Sequence, residues 1–296
     1  MEAGTGKVDD LAALAKLTEQ TLLKELELRY GQGQIYTYIG DILVAVNPFQ
    51  QLPLYDSKHS KEYRNIKVKS KLKPHIFAVA DCIYQDLLTN KEPQCCVVSG
   101  ESGAGKTETT KLLVRQIVQL CTKSGSVAAS SKLHDALIEI NPLMEAFGNA
   151  QTKMNGNSSR FGKYIELLFS DRGELFGGRV SIFLLEKTRV TGFNRDEQNF
   201  HIFYHMFAGL SERQRTSVLL TNPDRHRILK SGDSCSIFTS KAHQLHHKAM
   251  FIKLQKILTN TGFLQEDCEM IYAYLSAILH LTDIQFEPDQ ETDGVL

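Results

Sequence analysis

Gly100-Glu101-Ser102-Gly103-Ala104-Gly105-Lys106-Thr107 fits the pattern G-x-x-x-x-G-K-[ST], a spacing suited to holding a polyphosphate. A triphosphate needs many donors converging in a tight concave space. Small residues let successive backbone N–H groups turn inward, and the N-terminus of a following helix adds a favourable dipole. Lys106 brings a positive point charge to the β- and γ-phosphates. Thr107 offers a hydroxyl to Mg²⁺, which takes hard oxygen ligands in octahedral geometry. The competing reading is a glycine-rich turn without a ligand, and the Gly-Lys-Thr ending argues against it.

A phosphate cradle alone does not hydrolyse. Transfer also needs a group that senses the γ-phosphate, completes the metal shell and positions water. Asn155-Gly156-Asn157-Ser158-Ser159-Arg160-Phe161-Gly162-Lys163 is the candidate, a hydroxyl- and amide-rich loop just before a strand. Taken alone it also reads as an ordinary Asn/Gly/Ser turn. Hydroxyls and amides suit the task because they give short directed hydrogen bonds without stray charge.

These loops need elements to hold them. Before the first, Cys95-Cys96-Val97-Val98 is a continuous apolar run that reads as a strand, and Lys106 to Leu120 is helical in pattern. Further upstream, Asp9 to Tyr30 reads as two short amphipathic helices, with Thr18 as N-cap and Gly31 as a stop. Ile35 to Val46 reads as a hairpin or bent strand ended by Asn47-Pro48, and Pro74 to Thr89 as a half-buried helix. Seven Lys or Arg against one Glu between Lys58 and Lys73 read as a solvated face. Thr122 to Ser131 reads as a small, polar surface loop, after which Lys132 to Phe147 resumes a helical pattern broken at Pro142. Tyr164 to Ser170 and Val180 to Leu185 flank a turn and read as antiparallel strands; three or four amphipathic helices follow Asp196.

The chain has 296 residues, with 34 basic and 34 acidic side chains and 42% hydrophobic residues. Such a balance gives no global field for nucleic acid or an anionic membrane, and no run approaches a membrane span. The N-terminus has no signal-peptide pattern, and six cysteines without zinc or CxxC spacing read as cytosolic thiols. His201 and His205 stand at i, i+4 without the Glu of a zinc-protease motif, so they read as an ordinary helix face, as do His243, His246 and His247.

GESGAGKTE at 100 to 108 with NxNSSRFGK at 155 to 163 resembles the P-loop and switch I of a myosin motor domain. LTEQTLLKELELRY at 17 to 30, LVAVNPFQQLPLY at 43 to 55, NPLMEAFGNAQT at 141 to 152, LLEKTRV at 184 to 190 and NFHIFYHMFAGL at 199 to 210 extend the likeness over nearly the whole chain. Kinesins also join a P-loop to an Asn...Ser-Ser-Arg loop, but theirs continues Ser-His rather than Phe-Gly-Lys. The resemblance implies an α/β fold, a P-loop NTPase core with a mostly parallel central sheet and surrounding helices. Residues 1–130 would form the nucleotide-binding subdomain, and 131–296 the switch I and upper cleft subdomain, truncated before switch II.

It further implies that Asn47, Pro48 and Tyr55 wall the adenine pocket. Gly100, Glu101, Ser102, Gly103, Ala104, Gly105 and Lys106 would hold the phosphates of ATP. Thr107 and Ser159 would ligate Mg²⁺, Asn155 would contact the phosphates, and Ser158 would sit beside the lytic water. Arg160 would pair with a switch II glutamate. The implied partner is the actin filament, with calmodulin-like light chains bound only through an IQ region that this sequence lacks; the implied place is the cytoplasm and cytoskeleton.

The switch II segment Asp-Ile-x-Gly-Phe-Glu is absent. Asp283-Ile284-Gln285-Phe286-Glu287 lacks its glycine and is rejected as a substitute. A motor fragment is therefore expected, and its alternative is a non-catalytic truncated chain that at most binds nucleotide. Gln50 and Gln151 depart from basic residues common in relatives, and the NPFQ and AQT wording leans toward class III.

Overall fold

The structure, a computed structural model, describes residues 6–66, 72–121, 139–220, 222–230 and 236–287. Contacts divide the chain into two units, residues 1–135 with 166–179 and residues 136–165 with 180–296.

In the first unit a 3-10 turn at Leu11–Ala13 leads to α1 (Glu19–Gly31). Thr18 and Thr21 cap the helix reciprocally, each side chain accepting from the other's N–H, so two of the donors that a helix start leaves open are satisfied. The face turned inward is charged. Glu25, fully buried, accepts from the N–H groups of Gly6 at 3.0 Å and Val8 at 2.9 Å. Arg29, equally enclosed, donates to Asp9 and the Thr37 hydroxyl at 2.9 Å and to the Tyr36 carbonyl at 3.0 Å. Of the leucines that carry the amphipathic pattern in the sequence, Leu11 is buried, Leu14, Leu22 and Leu26 are half-buried, and Leu17 and Leu23 are exposed.

Next comes a hairpin of β1 (Tyr36–Ile39) and β2 (Ile42–Ala45), in register from Tyr36 opposite Ala45 to Ile39 opposite Ile42. Its two-residue turn places Gly40 at φ 58°, a conformation that glycine adopts without steric cost. The short α2 (Ser57–Glu62) buries none of its residues, in keeping with a solvated basic stretch. Two long helices, α3 (Ile76–Asn90) and α4 (Lys106–Cys121), supply most of the core: Ile76, Phe77, Ala80 and Tyr84 from one share a cluster with Leu113, Ile117 and Leu120 from the other. Each such large side chain contributes roughly 1.5–3 kcal/mol through burial. His75 begins α3 by accepting the Phe77 N–H, and its other ring nitrogen meets the Leu54 carbonyl at 3.1 Å; burial pushes it down to about 4.

The second unit opens with α5, described over residues 139–148 and helical through Pro142. β3 (Asn149–Ala150) pairs antiparallel with β4 (Ser158–Ser159). A long hairpin of β5 (Gly162–Phe169) and β6 (Leu175–Phe183) follows; its tip belongs to the first unit, where Leu175 joins the core and Tyr84 donates to the Gly173 carbonyl at 2.9 Å. Among the described residues four α-helices come after Asp196, namely α6 (His201–Gly209), α7 (Glu212–Ser217), α8 (Lys241–Asn260) and α9 (Gln265–Asp283). Phe203, Tyr204, Met206 and Phe207 of α6 share the unit's core with Phe251 and Leu254 of α8 and with Tyr272 and Leu279 of α9.

Mixed helix and strand match the expected class, but the sheet does not. Among the described residues there are three two-stranded sheets and no parallel sheet. Cys95 to Val98 form no strand, and Val97 is 83% exposed. A parallel strand is stable only when neighbours pair with it and helices cover both faces; no described strand pairs with this run. The loop expected at 122–131 lies outside the described residues.

Candidate functional site

The glycine-rich loop opens directly on α4, whose first residue is Lys106. Gly103 and Gly105 take φ 82° and 98°, so the loop curls through conformations that a residue with a Cβ adopts only with strain. Lys106 turns back over the loop and its Nζ donates to the carbonyls of Gly100 at 2.7 Å and Glu101 at 2.8 Å. The Ala104 N–H closes a tight turn on the Glu101 carbonyl at 3.2 Å. Asn47, just beyond β2, donates its amide to the Gly103 carbonyl at 2.7 Å and accepts the Phe49 N–H at 2.9 Å, so the turn it starts is tied to the loop.

Thr107 stands half-buried on the first turn of α4, and among the described residues its hydroxyl makes no hydrogen bond. Oxygen on a helix start beside a fixed lysine is the donor set that a Mg²⁺-polyphosphate needs. Tyr55 is placed differently from Asn47. Its hydroxyl meets that of Tyr36 at 2.9 Å, its ring packs edge-on to Phe77, and burial raises its pKa. Pro48 follows Asn47 and is half-buried.

In the second unit, residues 149 to 160 form a compact reversal. Asn149 lies opposite Ser159 and Ala150 opposite Ser158. Thr152 and Asn155 exchange backbone hydrogen bonds at 2.9 and 3.3 Å, and Asn155 Oδ1 accepts the Asn157 N–H at 3.0 Å. The Arg160 N–H is bound to the Gly148 carbonyl at 2.8 Å. Gly148 is required there because a Cβ would fall 2.3 Å from the Phe161 ring. Ser158 is buried and Ser159 exposed.

Arg160 begins an alternating charge chain. Its Nε donates to Glu186 at 2.6 Å and its Nη1 to the Ser158 hydroxyl at 3.0 Å. Glu186 also takes the Nε of Arg189 at 2.9 Å, and Arg189 reaches Glu197 at 2.8 Å and the Gln198 carbonyl at 2.9 Å. Partial burial pulls the Glu186 carboxyl upward, but the hydrogen bonds and charges of Arg189 and Arg160 outweigh it and hold it below the usual carboxylate range. Sequence reading assigned Arg160 a role but missed Glu186, Arg189 and Glu197. The spacing of Glu186 and Arg189, three apart in a 3-10 turn at Lys187–Val190, was the available signal.

Asp283 ends α9, and its carboxylate holds His226 at 2.6 Å and the Arg227 N–H at 2.9 Å. Among the described residues no helix is long and apolar enough to cross a membrane.

Residues 8–295 match the profile of the family described as myosin head (motor domain). The chain is 42% identical over 279 residues to human Myosin-IIIa, covering 94% of this chain and 17% of that protein. It is 40% identical over 294 residues to mouse Unconventional myosin-IXa, covering 94% and 11%, and 37% identical over 288 residues to human Unconventional myosin-Ib, covering 97% and 25%. It thus spans a quarter or less of the length of each of these three curated relatives.

Proposed function

This chain belongs to the myosin head (motor domain) family, and from that membership we propose that it is the nucleotide-binding part of an actin-based motor that holds and hydrolyses MgATP. The observation that carries the reading is the loop of positive-φ glycines that opens on α4 with Lys106 and Thr107 at its first turn. Backbone N–H groups of Gly100 to Gly105 and the Lys106 ammonium take the phosphates, and Asn47 keeps the loop in shape from the side on which, with Pro48 and Tyr55, it borders the base. Thr107 and Ser159 are the protein's oxygens for Mg²⁺. The ion, when bound, neutralises charge on the phosphate oxygens.

Asn155 and Ser158 orient the phosphate end and the attacking water through hydrogen bonds, while the Arg160–Glu186 pair sets where Ser158 stands. Catalysis of this kind needs orientation and charge stabilisation rather than a covalent protein intermediate. A mostly parallel central sheet with surrounding helices is part of this reading, and its support is family membership. Actin binding and a cytoskeletal location are part of the proposal for the motor as a whole, supported by family membership, and light-chain binding is proposed only through an IQ region.

Binding of a fluorescent ATP analogue with and without Mg²⁺, beside Lys106→Ala, tests the proposal. A charge-assisted phosphate contact is worth about 1.5–3 kcal/mol, so Lys106→Ala should weaken binding roughly 10- to 150-fold. Its stability should change by less than ~1 kcal/mol, because the two carbonyls it releases lie in exposed residues that water can satisfy. Unchanged affinity would remove the phosphate assignment. ATP turnover, assayed beside binding, tests hydrolysis separately, and binding without turnover would withdraw the hydrolysis half of the proposal.

A further inference from the structure

The second unit contains a histidine cluster that the nucleotide chemistry does not use. α6 contributes His201 and His205, with rings stacked at 5.9 Å, and α8 contributes His243, His246 and His247. His205 Nδ1 lies 2.8 Å from His247 Nδ1, and His247 Nε2 lies 2.9 Å from His243 Nε2. His205 and His247 are each 4% exposed. Because His247 faces its two neighbours through different nitrogens, the three rings do not converge on a point as metal ligands would; they form a line.

The direction of that line is fixed at its outer end. The Thr239 N–H donates to His243 Nδ1 at 3.3 Å, and a backbone amide has no lone pair to offer in return. His243 therefore carries its proton on Nε2 and donates to His247 Nε2. His247 in turn carries its proton on Nδ1 and donates to His205 Nδ1, which leaves the His205 proton on Nε2. Each link requires a neutral ring with one donor and one acceptor nitrogen.

At the other end, His201 Nε2 lies 3.1 Å from Asn157 Oδ1. The orientation of that amide follows from Glu145, whose carboxylate can only accept and meets Asn157 Nδ2 at 3.3 Å. Asn157 Oδ1 also accepts from Asn149 Nδ2 at 2.9 Å. His201 is thus a donor to the loop, and its buried Nδ1 has no partner among the described residues. We propose that His201 is a positioning residue for the Asn155–Ser159 loop and that the His243–His247–His205 relay holds it there only while neutral. This rests on the reading of that loop as part of a nucleotide site.

The groups around the relay fit this role. From α6 they are His201 and Tyr204, from α8 His243 and His246, from the preceding turn Phe238, and on the loop side Asn157, Asn149 and Glu145, which reaches the cluster through the Asn157 amide. Among the described residues, the titratable neighbours acting on the four rings are other histidines. Burial, reinforced by those neighbours, pushes His201 to about 4, His205 to about 3 and His247 to about 2, and lowers His243. Unfolded or locally opened, each histidine titrates near 6.5. Opening therefore gains protons as pH falls, by about 30-fold per buried ring at pH 5.

Imidazole nitrogen NMR on the unmodified chain at pH 7 should show neutral His247 with its proton on Nδ1 and neutral His243 and His205 with theirs on Nε2. A charged His247, or one protonated on Nε2, overturns the proposal without any variant. Hydrogen exchange of residues 152–161, corrected for intrinsic rates, should accelerate between pH 7.5 and 5. His247→Gln keeps a donor and an acceptor but cannot charge, so its acceleration should be smaller by about tenfold or more; parallel profiles for parent and variant overturn the proposal. An ATP analogue added to the same samples separates the two readings. No binding at any pH, with the His247-dependent exchange intact, refutes the nucleotide reading and supports the histidine relay as the loop's holder.

Discussion

Replacing Glu186 with Gln removes one charge from the centre of the Arg160–Glu186–Arg189–Glu197 chain while keeping its size. Two ion-pair hydrogen bonds, at 2.6 and 2.9 Å, keep the arginine charges but lose that of the carboxylate. Hydrogen bonds to charged groups contribute about 1.5–3 kcal/mol and neutral ones about 1, so losing the carboxylate charge from both costs at most about 1–4 kcal/mol. Side-chain exposures of 33% for Glu186 and 27% for Arg160 bring solvent screening into play, which places the expected loss at about 1–2 kcal/mol. Arg189 is not stranded, since Glu197 and the Gln198 carbonyl remain. Backbone amides of residues 156–162 should then exchange about 5- to 30-fold faster at pH 7. Combining the change with Arg160→Met should be non-additive by about 1 kcal/mol.

The pH dependence has a definite sign. Glu186 is depressed below its ordinary value, so its stabilisation is complete above the unfolded carboxylate pKa of about 4.3 and is lost as pH falls through the folded value. Parent and variant should differ by a constant factor from pH 5 to 8 and converge only in more acidic solution. Exchange within twofold of the parent at pH 7, or a gap that widens on acidification, would refute the assignment of this network as what fixes the loop.

Gly209→Ala would place a Cβ 2.1 Å from the buried Phe251 ring, and urea unfolding should show a loss of about 1–3 kcal/mol although alanine is the better helix former. Asp283→Asn weakens the hold on His226 and the Arg227 N–H; a stability loss of about 1–3 kcal/mol with unchanged ATP-analogue affinity is expected, and selective loss of affinity in a folded sample would show that Asp283 serves the nucleotide after all.

The phosphate loop was readable in the sequence because its constraint is local: glycines, lysine and threonine act through a single turn and the helix it begins. Thr18 as a cap and the β1–β2 hairpin were readable for the same reason, with each signal lying within a few residues of its effect. Glu25 and Arg29 were not, since a buried ion and its partners on Gly6, Val8, Asp9 and Thr37 are matched by geometry across the chain rather than by periodicity. The histidines failed in another way: i, i+4 spacing on two separate helices says nothing about which ring meets which, and the relay exists only once α6 lies against α8. Cys95 to Val98 shows the limit of composition, because an apolar run states a preference for burial without supplying the strands that would bury it.

The division of the β5–β6 hairpin bears on the order in which the protein is made. Leu175, the Gly173 carbonyl and the Asp171 carbonyl complete contacts with α3 and the residue after it, the last through Lys91. A nascent chain that has emerged only to residue 135 thus has both long helices of the first unit but not the side chain that closes their core. That unit cannot finish before residue 179 is available, by which time the start of the second unit, residues 136–165, is already outside the ribosome. Synthesis therefore interleaves the two units instead of completing them in turn, and a pause between residues 135 and 179 would hold the first one open with its apolar helix faces waiting for the hairpin.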